Sequence, residues 1–234
     1  MFWRFGGYAS ISPVDSLLDK PDLSLEELLD ESEVIQELNQ NNSKLIEYLR
    51  EDHVLKRLLN YVVAPSLVND SNETDEANDG NEGEEKAVDP LKEALDPEDL
   101  ERAESNRLRH AYVACELLSI GTWSILESIV ANPDYLRDFW GFLKRLPPLD
   151  SLQASYFTKV NETMFDRKTE EMLESFKSYD GIVPAILQHI DNPMVMDLLL
   201  KIISLEKTEG GQGIVDVGSL LPFQLVRLAV EISS

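Results

Sequence analysis

Apolar positions along the chain recur at intervals of three and four, in runs broken by proline, glycine and short polar side chains. That spacing predicts amphipathic helices. The longest such run covers residues 105–131. Leu108, Ala111, Tyr112, Cys115 and Leu118 share one helical face, and Ala114 and Leu117 widen it until little solvent side is left. Between Tyr112 and Ile120 the only charge is Glu116. A helix apolar nearly all round is expected between other layers. Gly121 should end it in a left-handed turn, and Thr122 should cap a second helix carrying Trp123, Leu126, Ile129 and Val130. The centre therefore reads as a helical hairpin with two buried faces, which needs neighbours before and after it.

Those neighbours are short helices divided by caps. Pro13 opens one bearing Val14, Leu17 and Leu18, and Pro21 stops it. Ser24-Leu-Glu-Glu27 is a capping box ahead of Leu25, Leu28 and Leu29. Ser32 or Asp30 restarts a helix with Val34, Ile35 and Leu38, and Asn41 or Asn42 one with Leu45, Ile46 and Leu49. Asp52 begins a longer helix with Val54, Leu55, Leu58, Leu59, Val62 and Val63, closed by Pro65. Asp96 and Pro97 start the helix leading into the centre. Beyond it, Pro133 opens a face of Leu136, Phe139, Trp140, Leu143 and Leu146, ended by Pro147-Pro148. Ser151 caps a helix with Leu152, Tyr156, Phe157, Val160 and Met164. Met172, Leu173 and Phe176 mark an amphipathic piece, and Ile182, Val183, Ile186, Leu187 and Ile190 the next face. Asn192 and Pro193 begin a strongly buried helix over 194–205, whose charges Asp197 and Lys201 form an i, i+4 pair. Residues 206–213 read as a loop and 223–232 as a last helix. No segment alternates with β-branched enrichment, and none qualifies as a strand. The expected class is all-α, a helical-repeat solenoid of the HEAT or armadillo kind, built of paired-helix stacks. Since the chain stops with its last buried helix, without a polar capping repeat, it is expected to be the N-terminal piece of a longer protein.

Composition changes this picture in one place. Residues 69–89 hold nine acids and one lysine and no large apolar side chain before Val88. Such a stretch cannot bury enough to offset the entropy of ordering. The expected organisation is a helical block over 1–68, an acidic disordered insertion over 69–96, and a second block over 97–234 continuous with the first. The insertion reads as a solvated linker; a lure for basic peptides, or a switch phosphorylated at Ser71 and Thr74, is the alternative. The whole chain carries a net charge of −23, and the blocks outside the insertion are acidic too. That argues against nucleic acid or anionic lipid as partners. No apolar run approaches the ~20 residues of a membrane span, and the start, MFWRFGGY, is not a secretory signal. Cys115 is the single cysteine, which fits a reducing compartment, the cytoplasm or the nucleus.

A reaction centre is not legible. His53, His110 and His189 lie far apart without partners at metal spacing, so no metal and no cofactor is expected. Cys115 sits mid-helix on an apolar face and reads as a buried small hydrophobe. Gly210-Gly211-Gln212-Gly213 lacks the lysine and preceding strand of a phosphate cradle. Glu116 needs a cationic or hydrogen-bonding partner in so apolar a stretch; Arg109, Arg107 and Lys201 are candidates for a pair that fixes how helices stack, and contact with a partner protein is the alternative.

The opening MFWRF with DSLLDKPDLSLEELLDESEVIQELNQNNSKLIEYL resembles the start of the SAPS-domain family. So does ESNRLRHAYVACELLS, with its Tyr-x-x-Cys-Glu core, and LQASYFTKVNETMFDRKTEEML and ILQHIDNPMVMDLLLKIIS resemble later blocks. These matches are ordered and cover nearly all of the chain outside the insertion. The family comprises regulatory subunits of Sit-type, protein phosphatase 6-like serine/threonine phosphatases. The resemblance implies a non-catalytic helical scaffold that binds the phosphatase catalytic subunit, alongside further regulatory subunits, and directs it to substrates in cell-cycle entry and nutrient signalling. Family members run on well past this length. A two-metal phosphatase would need Asp-x-His and Asn-His ligand motifs, and the chain has neither. An unrelated helical-repeat adaptor in trafficking or nuclear transport shares the compositional features and is set apart only by the ordered motifs. The cationic cluster Arg107, Arg109 and His110 beside the core helix is the expected partner-binding surface, with Phe2, Trp3 and Phe5 second. Those aromatics either dock on the first helices or stay exposed for a partner.

Overall fold

A computed structural model describes residues 12–67 and 96–205. Expectations for residues 1–8, 69–89, 206–213 and 223–232, and with them Phe2, Trp3 and Phe5, lie outside these. The described residues are all-helical, with no strand among them. In chain order they form α1 (Pro13–Leu18), α2 (Leu25–Leu29), α3 (Val34–Asn39), α4 (Ser43–Leu49), α5 (Asp52–Val62), α6 (Pro97–Ser119), α7 (Trp123–Val130), α8 (Pro133–Trp140), α9 (Ser151–Arg167), α10 (Thr169–Ser178), α11 (Ile182–Leu187) and α12 (Pro193–Leu205).

Helix starts follow from local chemistry. An opening turn leaves backbone N–H groups without helical partners, and a short polar side chain just before it can accept from them. Ser24 Oγ accepts from Glu27 N, Asn42 Oδ1 from Leu45 N, and Asp96 Oδ1 from Glu98 N with Pro97 in first position. Asn132 and Asn192 do the same for α8 and α12, each followed by proline. Three caps differ from expectation. Thr122 precedes α7 but makes no side-chain cap bond. Glu33, not Ser32 or Asp30, precedes α3 and makes no side-chain cap bond, and Asp150 rather than Ser151 caps α9.

One continuous core runs from Val14 to Ile202. Part of it is an aromatic cluster: the Trp140 ring meets Phe157, Phe165 and Phe176 at centroid distances of 6.5, 6.2 and 5.5 Å, joining α8, α9 and α10. Phe139 and Phe142 each lie 5.0 Å from Phe157.

The central pair departs from a hairpin. Gly121 takes the expected left-handed turn, at φ +74°, but α6 and α7 are bent 101° apart and make a corner. Nor is α6 buried all round. Its buried arc comprises His110, Ala111, Val113, Ala114, Cys115, Leu117 and Leu118, centred near Ala114. That is displaced by roughly one residue's 100° step from the face read in the sequence, so Leu108 and Tyr112 reach solvent. Trp123, Leu146 and Leu152, read as core, are exposed as well. Leu146 is exposed because α8 ends at Trp140 and continues only as a 3-10 turn, Gly141–Lys144.

Several helices three apart in order pack on one another: α3 on α6, α4 on α7, α5 on α8, α6 on α9 and α9 on α12. Their contacts advance in step. Tyr112 lies beside Tyr156, Glu116 beside Lys159, and Gly121 beside Thr163 and Arg167, so α6 and α9 run parallel. The Thr158 hydroxyl donates to Met194 O at 3.0 Å and Lys201 pairs with Asp166, so α12 runs parallel to α9 too. Lys201 is therefore drawn to the neighbouring helix rather than to Asp197 on its own.

Candidate partner interface

Arg107 lies in the first half of α6 with its side chain only 10% exposed. Its guanidinium donates to both oxygens of Glu104, at 2.8 and 2.7 Å, and to Ala64 O at 2.8 Å. Glu104 also accepts from Ser66 Oγ at 2.9 Å and Leu67 N at 3.0 Å. The Arg107 bonds, aided by those of Leu67 and Ser66, hold the Glu104 carboxyl down at about 2. A second guanidinium, Arg145, donates to Val63 O at 2.6 Å and Gln153 Oε1 at 2.8 Å, and burial lowers its pKa. Two arginines thus serve the carbonyls just past α5, where a helix end favours cations.

Arg109 and His110 both turn to Asp30, the residue that closes α2. The His110 ring N–H donates to Asp30 Oδ1 at 2.6 Å, and its ring meets the Tyr61 ring edge-on at 5.6 Å. Tyr61 in turn donates to Glu26, which Arg57 also engages; burial and the Glu26 carboxylate push the Tyr61 hydroxyl up to about 12. Arg107 and His110 are thus turned inward, one to Glu104 and Ala64 and the other to Asp30, and staple α6 to the residues before it. Arg109 keeps half its side chain in solvent.

Glu116 finds its cation in Lys159 on α9, not in Arg107, Arg109 or Lys201, each of which is held by another carboxylate. The pair does tie two helices together. Cys115 lies under it, with Sγ 3.8 Å from Tyr156 O, and burial pushes the thiol up to about 11, away from reactivity. Of the histidines, His53 is on the surface and His189 is buried, its Nε2–H donating to Leu143 O at 3.1 Å. Lys168 is buried between Glu127 and Glu171, with Nζ 4.2 Å from the Trp123 ring centroid. Among the described residues no group of three or more His, Cys, Asp or Glu is placed to hold a metal. No described helix is long and apolar enough alone to cross a membrane.

Sequence reasoning missed a different feature. Leu108 and Tyr112, one turn apart on α6, and Leu152 and Tyr156, one turn apart on α9, form a single strip. The two tyrosine rings lie 6.5 Å apart. Tyr112 is 48% exposed, Leu152 42% and Leu108 36%; Tyr156 is half-buried. Their helical spacing alone places all four in the core. The signal available was that α6 carries a wider apolar arc than a single neighbour can cover.

Residues 161–224 match the model of the SAPS family, described as SIT4 phosphatase-associated protein. Over 92% of its length the chain is 38% identical to extragenic suppressor of kinetochore protein 1 of Schizosaccharomyces pombe, of which it spans 23%. It is 31% identical to SIT4-associating protein SAP190 of Saccharomyces cerevisiae over 85% of the chain and 23% of that protein. It is 30% identical to serine/threonine-protein phosphatase 6 regulatory subunit 2 of Mus musculus over 87% of the chain and 18% of that protein. No solved structure matches. The resemblance to the SAPS family read from the sequence is borne out.

Proposed function

We propose that this chain forms part of a SAPS-family regulatory subunit, a non-catalytic scaffold that binds a phosphatase 6-like serine/threonine catalytic subunit and directs it to substrates. The observation that carries this reading is the match along 85% and 87% of the chain to proteins named for association with SIT4 and for regulation of phosphatase 6. The relatives are four to five times longer, so activity towards substrates belongs to the whole protein. We further infer that the helices are units of three, α4–α6, α7–α9 and α10–α12, stacked as the armadillo-like beginning of a solenoid. The packing of helices three apart, with α6, α9 and α12 parallel, supports this. In this reading residues 1–68 and 97–234 are one continuous stack, with the acidic stretch inserted between. The single cysteine, buried and weakly acidic, suits the cytoplasm, with the nucleus also open to it.

The test is direct. The tagged chain, and the full-length protein containing it, are mixed with purified phosphatase 6-type catalytic subunit and recovered. Stoichiometric retention of the catalytic subunit is expected. No retention by either form would overturn the proposal, as would phosphatase activity in the purified chain alone.

A further inference from the structure

The α6–α9 strip has the anatomy of an interface before anything is bound to it. Its centre is apolar and rich in tyrosine, the side chain that gives large contact area for little lost freedom. Its floor is fixed core, with Ala111, Cys115 and Val160 at 2% exposure or less. At its ends the charges are closed on themselves, Arg109 with Asp30 and Glu116 with Lys159, so docking there leaves no unpaired buried ion. We propose that this face, centred on Tyr112 and Tyr156 and flanked by Leu108 and Leu152, is where the phosphatase catalytic subunit docks. The assignment rests on the function proposed above.

Charge narrows the occupant. A second copy of the chain would bring a further −23, which opposes self-association through this face. Along the edge towards α12, Glu162, Asp166 and Asp197 lie around Lys201, which pairs with Asp166. Burial, then the two neighbouring acids, raises the Glu162 carboxyl above its ordinary value, while Lys201 opposes the rise. The complementary surface is therefore apolar at its centre and carries lysine or arginine at one edge, and the catalytic subunit is expected to present such a patch.

The experiment is calorimetry of the 234-residue chain against purified phosphatase 6-type catalytic subunit. Tyr112→Ala with Tyr156→Ala is expected to weaken binding about tenfold or more, with the thermal midpoint moved by no more than a few degrees. Leu108→Lys with Leu152→Lys, at positions already in solvent, should weaken it as much and decides the matter if the tyrosine pair fails to fold. Arg137→Ala, at an exposed side chain of α8 away from the strip, should leave affinity unchanged. If wild type binds and both double variants bind equally well, the face assignment is overturned while the proposed function stands. If wild type does not bind, and the full-length protein fails too, the proposed function falls and the assignment with it.

Discussion

At Arg107 one guanidinium holds together α6, the end of α5 and the segment after it. With the side chain enclosed and three bonds on it, losing this guanidinium is expected to cost stability. Arg107→Ala should lower the unfolding free energy by about 2 kcal/mol, the scale of a charge-assisted bond lost from a mostly buried acceptor, measured by denaturant titration. The pH sign follows from Glu104. Its folded pKa, about 2, is below its unfolded value. Its contribution is therefore complete above the ordinary carboxylate range and is lost as pH falls towards 2. Wild type should lose stability across that acid window more steeply than Arg107→Ala, by thermal melts at stepped pH. Gly121 is a second sensitive point, because φ +74° strains any side chain and a Cβ would lie 3.2 Å from Thr163 Cγ2. Gly121→Ala should destabilise by about 1 kcal/mol or more.

Among the elements, starts were legible and faces less so, for one physical reason. A cap is decided within four residues, so Ser24, Asn42, Asp96 and Asn192 could be read directly. Which side of a helix is covered depends on helices far away in the chain, so Leu108, Tyr112, Trp123 and Leu152 could not. Asn42 also does more than cap: its amide donates to Asp15 and Glu37, each at 2.9 Å, joining α1 and α3 to α4. Ser24→Ala should cost about 1 kcal/mol, and Asn42→Ala clearly more, both read as shifts in thermal midpoint. Equal losses would mean that the two extra bonds contribute nothing net.

For the whole molecule, all-helical architecture was plain from periodicity, whereas the order of packing was not, since a pattern of apolar positions carries no direction. The candidate site divides the same way. The sequence singles out Arg107, Arg109 and His110 as a cluster, but Arg107 turns to Glu104 and Ala64 while Arg109 and His110 turn to Asp30, and two of the three face inward. The tyrosine strip was hidden because an aromatic at helical spacing looks the same whether a neighbour covers it or not. The fastening at Glu104 has a wider consequence. Ser66 and Leu67 are gripped by α6 itself, so the two sides of the acidic stretch meet whatever lies between them. Closing a longer loop adds only about 0.6 kcal/mol per doubling. Lengthening, shortening or replacing the sequence between Leu67 and Asp96 should therefore leave the thermal midpoint nearly unchanged, provided the Glu104 contacts to Ser66 and Leu67 are kept.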